Sequence, residues 1–136
     1  MLRFIKTWAK INVIHSNNLG FLNGISWAVM VAKLCISNTK KSVWELISQF
    51  FTTYSWHDWS EAISIEPYIE ETKENIKDAE KRYHIRIINP AYPYTNTWWN
   101  VSVFNKFVIQ QNLQDAWNLT SLHNRSTTMD SDQIMK

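Results

Sequence analysis

The stretch Leu2-Arg-Phe-Ile-Lys-Thr-Trp-Ala-Lys10, followed by Ser16-Asn-Asn-Leu-Gly-Phe-Leu-Asn-Gly-Ile-Ser-Trp-Ala28, decides how the chain begins to fold. At 100° per residue, Arg3, Lys6 and Lys10 fall within about 60° of one another. Phe4, Ile5, Trp8 and Ile11 point the other way, so residues 2–14 read as an amphipathic helix. Like charges at this spacing cost an isolated helix roughly 0.2–0.5 kcal/mol per pair. The basic stripe is therefore either a solvated face or an anion site. A polar turn over 15–24 carries Gly20 and Gly24, and residues 25–36 then read as a helix apolar on nearly every side, central to the core. No Ser, Thr, Asp or Asn precedes Leu2 as a cap, which suggests a chain that starts inside a longer helix.

Further along, Ser42-Val-Trp-Glu45 has the pattern of a capping box. It opens a helix to about Tyr54, with Trp44, Ile47, Phe51 and Tyr54 on one face. Residues 55–66 read as a loop and 67–82 as a charged, solvated helix. Ile85 to Ile88 is a short strand-like run ended by Pro90 and Pro93. Ser102 caps a last helix through about Leu119, its buried face built from Phe104, Phe107, Val108 and Trp117. The segment 120–136 has little apolar content and reads as a disordered tail. The expected fold is thus mainly α, with one or two short strands near residues 85–103.

Composition agrees. In 136 residues, 45% hydrophobic content with eight tryptophans indicates a packed core, and two glycines with three prolines leave few breaks for hairpins. Cys35 is the single cysteine, which excludes an internal disulfide or a thiolate metal cluster and fits a reducing, intracellular compartment. Ile25 to Ile36 is too short to span a bilayer, so a soluble protein with no membrane partner is expected. The net charge of +2 hides a segregation. Residues 1–44 hold Arg3, Lys6, Lys10, Lys33, Lys40 and Lys41 and no acid, whereas residues 45–80 hold nine acids against Lys73 and Lys77. A basic first third suits a polyanion partner, unless the acidic segment folds back on it.

These residues carry a resemblance. The first block, with a second formed by Arg82-Tyr-His84, Ile87-Ile-Asn-Pro-Ala-Tyr-Pro93 and Asn100-Val-Ser-Val103, resembles the central domain of eukaryotic poly(A) polymerases. The resemblance covers residues 1–119, beginning inside the family's helix, and is poor over 56–80. It implies the nucleotide-facing wall of a nuclear enzyme that adds AMP from ATP to RNA 3′ ends. A separate nucleotidyltransferase domain supplies the carboxylates for Mg2+, and an RNA-recognition-motif-like domain completes the enzyme. The chain has no Gly-Ser motif followed by an Asp-x-Asp pair, so no catalytic residue and no metal ligand is assigned in it, and it is expected to be inactive alone.

The resemblance also implies site residues. Lys6 matches a lysine that contacts the ATP phosphates, and Asn17 an asparagine near the nucleotide. Where the family has a tyrosine this chain has His15, which can stack and donate a hydrogen bond but has a shorter reach. Gly24-Ile25 matches a Gly-Gly-Val turn that lets backbone approach the adenine. The first of those glycines is Asn23 here, a residue that tolerates a left-handed conformation but adds a side chain near the base. Lys10 matches a basic position and, with Arg3, is a candidate phosphate or RNA contact. The partners implied are ATP, the RNA 3′ end and the two further domains. The alternative is a non-catalytic, polymerase-derived module that binds RNA or a protein. Outside the motifs, His57 beside Asp58 lacks a third ligand, His84 reads as a packing residue, and Trp98 and Trp99 read as packing before base stacking.

Overall fold

The computed structural model describes residues 1–66, 84–91, 96, 97 and 101–134. Four helices run through them: α1 (Leu2–Ile11), α2 (Gly24–Ser37), α3 (Val43–Ser55) and α4 (Val103–Ile134), with a 3-10 turn at Asn17–Leu19. The fold is mainly α, as the apolar spacing predicts. The charged helix expected over 67–82 lies outside the described residues, as do Trp98 and Trp99.

Helix α1 buries Ile5 and Ala9 completely, while Phe4 is exposed and Ile11 is 75% exposed. The face that packs is thus narrower than the apolar spacing suggests, and Trp8 completes it. Its ring sits edge-on to Trp27 of α2 at 5.8 Å and to Phe51 of α3 at 4.9 Å, so one indole joins three helices. The helix ends earlier than expected, in a Schellman turn. The Val13 amide bonds the Lys10 carbonyl and the Ile14 amide bonds that of Ala9. This geometry places Val13 at φ 58°, a left-handed conformation normally taken by glycine. The turn drives Ile14 into the core and sets His15, with Lys6 of α1, against the head of α2.

Helix α3 starts at Ser42, whose Oγ accepts the Glu45 amide at 3.3 Å, as the capping pattern requires. Phe50, Phe51 and Tyr54 are buried from it. The Tyr54 hydroxyl donates to the Met30 carbonyl of α2 at 2.7 Å. Burial, and secondarily Cys35 nearby, pushes that hydroxyl well above its ordinary pKa.

Two expectations for the last helix are corrected. It does not stop at Leu119 before a disordered tail; α4 continues to Ile134. A helix already nucleated extends at small cost per residue, and here Trp44 of α3 holds the extension. Its Nε1 donates to Asn124 Oδ1 at 3.1 Å, and its ring meets His123 at 5.1 Å. Nor do Phe104 and Phe107 form the buried face, being 71% and 61% exposed. Ile109, Leu113 and Ala116 are buried instead, a stripe of smaller side chains that suits close approach to α3, its most extensive helix contact.

The strand-like run 85–88 makes two isolated bridges in place of a strand: Ile63 pairs with Ile87 and Ile88 with Asn96. Asn96 substitutes for a neighbouring strand with its side chain, accepting the Ile87 amide at 3.1 Å and donating to the Ile85 carbonyl at 3.0 Å. Arg86, buried here, donates to the Ser60 carbonyl at 2.7 Å.

Candidate functional site

Helix α2 begins where the site does. Asn23 is its N-cap, with an extended backbone (φ −83°, ψ 174°) that makes no use of its tolerance for the left-handed region. Its Oδ1 accepts from the Ser26 amide at 3.0 Å and the Ser26 hydroxyl at 2.8 Å. Its Nδ2 donates to the Thr97 carbonyl at 3.0 Å, and the Ser26 and Thr97 hydroxyls share a further bond at 2.6 Å. The amide is therefore engaged at both ends, Oδ1 with Ser26 and Nδ2 with Thr97.

A second tie lies at the turn before it. Asn105 of α4 donates to the carbonyls of both Leu19 and Gly20, each at 3.0 Å. Gly20 sits at φ 80°, where a glycine is required. Ser102 caps α4 by accepting the Asn105 amide at 3.1 Å, which fixes the start of the helix that presents the Asn105 side chain. The two motif blocks, some 70 residues apart in sequence, thus meet as one structure around the origin of α2.

At that origin Gly24 opens onto two side chains. A Cβ built on Gly24 would lie 3.5 Å from Lys6 Nζ, 3.8 Å from Lys6 Cε and 3.9 Å from His15 Nε2. A cation from α1 and an imidazole from the turn after it therefore converge on one small space at the head of α2. His15 Nε2 is buried and, among the described residues, has no hydrogen-bond partner. Among the described residues Lys6 forms no hydrogen bond or ion pair. Helix α2 has no acid in its first turn. An anion placed here meets an ammonium, an unpaired ring nitrogen and the free amides of a helix start, which together favour negative charge.

Of the residues singled out in the sequence, Lys6, His15 and Gly24 come together. Ile25 is adjacent and 55% exposed. Asn17 lies in the 3-10 turn leading to the site; its side chain is outside what is described. Arg3 and Lys10 are exposed on α1 and do not share in the convergence at Gly24. His57 bonds the Glu61 carbonyl through Nε2 at 3.2 Å and packs edge-on against Tyr54 and Trp59. Asp58 is held below the usual carboxylate range by the Ser60 hydroxyl and amide, in a local turn. Among the described residues no three His, Cys, Asp or Glu side chains gather as a metal would require, so these residues do not fit a magnesium site. No described helix is long and apolar enough to cross a membrane.

Sequence reasoning missed Asn23 as a cap and Asn105 as a tie. An Asn directly before a helix is a cap signal that was available; the Asn105 contact has no local signature. A groove of about 570 Å³ between α3 and the extended part of α4, lined by Trp44, Ser48, Thr52 and His123 among others, shares no residue with the Gly24 site.

The sequence profile of the family "Poly(A) polymerase central domain" matches residues 1–132. Among curated proteins, the chain is 34% identical to nuclear poly(A) polymerase 4 of Arabidopsis thaliana over 125 residues, which is 87% of this chain and 17% of that protein. It is 36% identical to nuclear poly(A) polymerase 2 of the same plant over 120 residues, 83% of this chain and 15% of the relative. Against nuclear poly(A) polymerase 1 it is 38% identical over 112 residues, 74% of this chain and 15% of the relative. The chain thus spans about one-sixth of the length of the relatives it matches.

Proposed function

Since the chain belongs to the poly(A) polymerase family through its central domain, we propose that it is the nucleotide-facing wall of a nuclear polyadenylating enzyme. In that reaction the RNA 3′ oxygen attacks the α-phosphate of ATP, a new phosphodiester forms and pyrophosphate leaves. The observation that carries the reading is the meeting of Lys6 and His15 at Gly24.

Each residue then has a defined task. Lys6 is a flexible point charge that holds phosphate oxygens. His15 donates a hydrogen bond from a ring nitrogen. Gly24 leaves room for the ligand to reach the α2 amides, Ile25 offers an apolar surface to the base, and Arg3 and Lys10 meet the RNA backbone. On this reading magnesium chemistry belongs to the carboxylates of a separate nucleotidyltransferase domain, so residues 1–136 alone are expected to add no adenosine to a primer. The exposed aromatic side chains Phe104 and Phe107 suit packing against the rest of such an enzyme. A second reading, a non-catalytic module that binds RNA or a protein, draws on His15 and Asn23, the two departures from the family pattern.

Nuclear magnetic resonance titration of the chain with ATP tests the first reading. Half a cleft desolvates only part of a ligand, so binding in the millimolar range is expected. Shifts should cluster at Lys6, His15 and Gly24 and vanish with Lys6→Ala. Shifts confined to residues 84–97 would mean that the wall is assigned to the wrong residues.

A further inference from the structure

We infer that the groove between α3 and the end of α4 binds single-stranded RNA: Trp44 stacks on one base, and Lys40 and Lys41 hold the neighbouring phosphates. The groove shares no residue with the Gly24 site, so it stands whether or not ATP binds there.

The groove is built around one indole. Trp44 Nε1 donates to Asn124 Oδ1 at 3.1 Å, and the ring meets that of His123 at 5.1 Å with the planes 73° apart. These two contacts fix the ring plane before any ligand arrives. An edge-on neighbour covers at most one face of the indole, and Trp44 remains 42% exposed. A fixed, partly exposed aromatic ring is what an unpaired base stacks on. Beyond Trp44 the wall turns polar. Ser48 and Thr52 continue its i, i+4 row along α3 and both line the groove. Thr52 Oγ1 donates its proton to the Ser48 carbonyl at 2.9 Å, which leaves its lone pairs for a base amino group. Ser48 Oγ has no hydrogen-bond partner among the described residues.

That lining selects the occupant. An amphipathic peptide helix needs a hydrophobic groove for its apolar face, and Ser48, Thr52 and Thr127 present hydroxyls here. A nucleobase joins a flat apolar face to a polar edge, which matches an aromatic ring followed by hydroxyls. The groove's volume of about 570 Å³ lies within the ordinary range for ligand sites. Lys41 lines the groove at the start of α3 and Lys40 is its neighbour, both exposed. Lys41 Nζ donates to the neutral Gln49 Oε1 at 3.4 Å, a contact that leaves its charge for a phosphate. Among the described lining residues the acid is Glu45. It opposes a phosphate, so removing its charge has an effect of known sign.

The test is titration of a short, fluorescently labelled oligoadenylate with the full chain, in a Lys6→Ala background that takes the Gly24 site out of the measurement. Trp44→Ala should weaken binding by at least about fivefold. Trp44→Phe, which keeps a stacking ring but loses the bond to Asn124, should weaken it by less than about threefold. Replacing both Lys40 and Lys41 by Ala should lower the slope of log affinity against log salt by about 1.4, since each single-strand phosphate contact contributes about 0.7. Glu45→Gln should tighten binding. Inorganic polyphosphate and polyaspartate should compete at least about tenfold more weakly than unlabelled RNA, because neither offers a base to the indole. Equal competition by either would show that charge alone is read and would overturn the proposal. So would the absence of RNA binding in the Lys6→Ala chain. A loss in Trp44→Phe as large as in Trp44→Ala would overturn it too, since the substitution would then act by releasing the end of α4.

Discussion

Gly24→Ala separates what the head of α2 does for stability from what it does for binding. The added methyl would meet Lys6 Nζ at 3.5 Å and His15 Nε2 at 3.9 Å, both ordinary van der Waals distances. Gly24 is the first residue of α2 after the Asn23 cap, and its backbone is not left-handed. Alanine therefore fits without strain, and the gain comes from the unfolded chain, which has fewer conformations to lose. That effect is worth about 0.4–1 kcal/mol. The same methyl fills the space on which the ammonium and imidazole converge, and a ligand kept from one of them forfeits a charge-assisted hydrogen bond. Such a bond is worth about 1.5–3 kcal/mol when buried and less at this open site, so an affinity loss of roughly tenfold is expected. Urea denaturation and an ATP titration on the same preparation should thus move in opposite directions. Destabilisation by more than about 1 kcal/mol would show that the space is not there. Raised stability with unchanged affinity would show that the anion does not use the Gly24 side.

Other expectations concern the frame. Val13→Gly should raise stability by about 0.5–1 kcal/mol: it relieves roughly 1–2 kcal/mol of left-handed strain, offset by the freedom glycine adds to the unfolded chain. Val13→Ala, which keeps a Cβ, should gain less, and a lower urea midpoint for the glycine variant would refute the Schellman assignment. Asn23→Ala should cost about 1–2 kcal/mol through the lost cap and should speed hydrogen exchange at the Ser26 amide; unchanged exchange would argue against the cap. Tyr54→Phe should cost about 0.5–1.5 kcal/mol at neutral pH. Because burial raises the Tyr54 pKa in the folded state, the stability tied to its neutral form is full below pH 10 and is lost as pH rises further. The gap between wild type and Tyr54→Phe should therefore shrink above pH 10 in thermal melts, and a gap that widens would contradict the buried hydroxyl.

The helical architecture was legible because its signals are local. The apolar spacing of α1 to α3 and the serine caps at Ser42 and Ser102 each lie within a few residues of what they control. The buried face of α4 was not legible, because the helix carries two apolar stripes and the larger side chains lie on the wrong one. Phe104 and Phe107 are the bulkier pair, yet the side chains buried from α4 are Ile109, Leu113 and Ala116. Partner shape decided that choice, and one helix alone does not encode it. The length of α4 was hidden for a similar reason, since its hold on Trp44 spans 80 residues. At the site, the resemblance selected Lys6, His15 and Gly24, which the fold brings together. It gave Asn23 a place beside the base, whereas the side chain is turned to Ser26 and Thr97.

The bonds of Asn23 and Ser26 to Thr97, and of Asn105 to Leu19 and Gly20, also set an order of events during folding. Helices α1 and α2 can form from neighbouring residues on short timescales, but their junction closes only when a segment more than 70 residues later in the chain arrives. Contacts of such separation must overcome loop-closure entropy and come late in folding. As the chain emerges from the ribosome, the basic first third is thus exposed well before the space at Gly24 acquires its final shape. On the proposed reading, a nascent chain in that interval would attract polyanions by charge alone, and selectivity for a nucleotide would begin only once Thr97 and Asn105 have closed the junction.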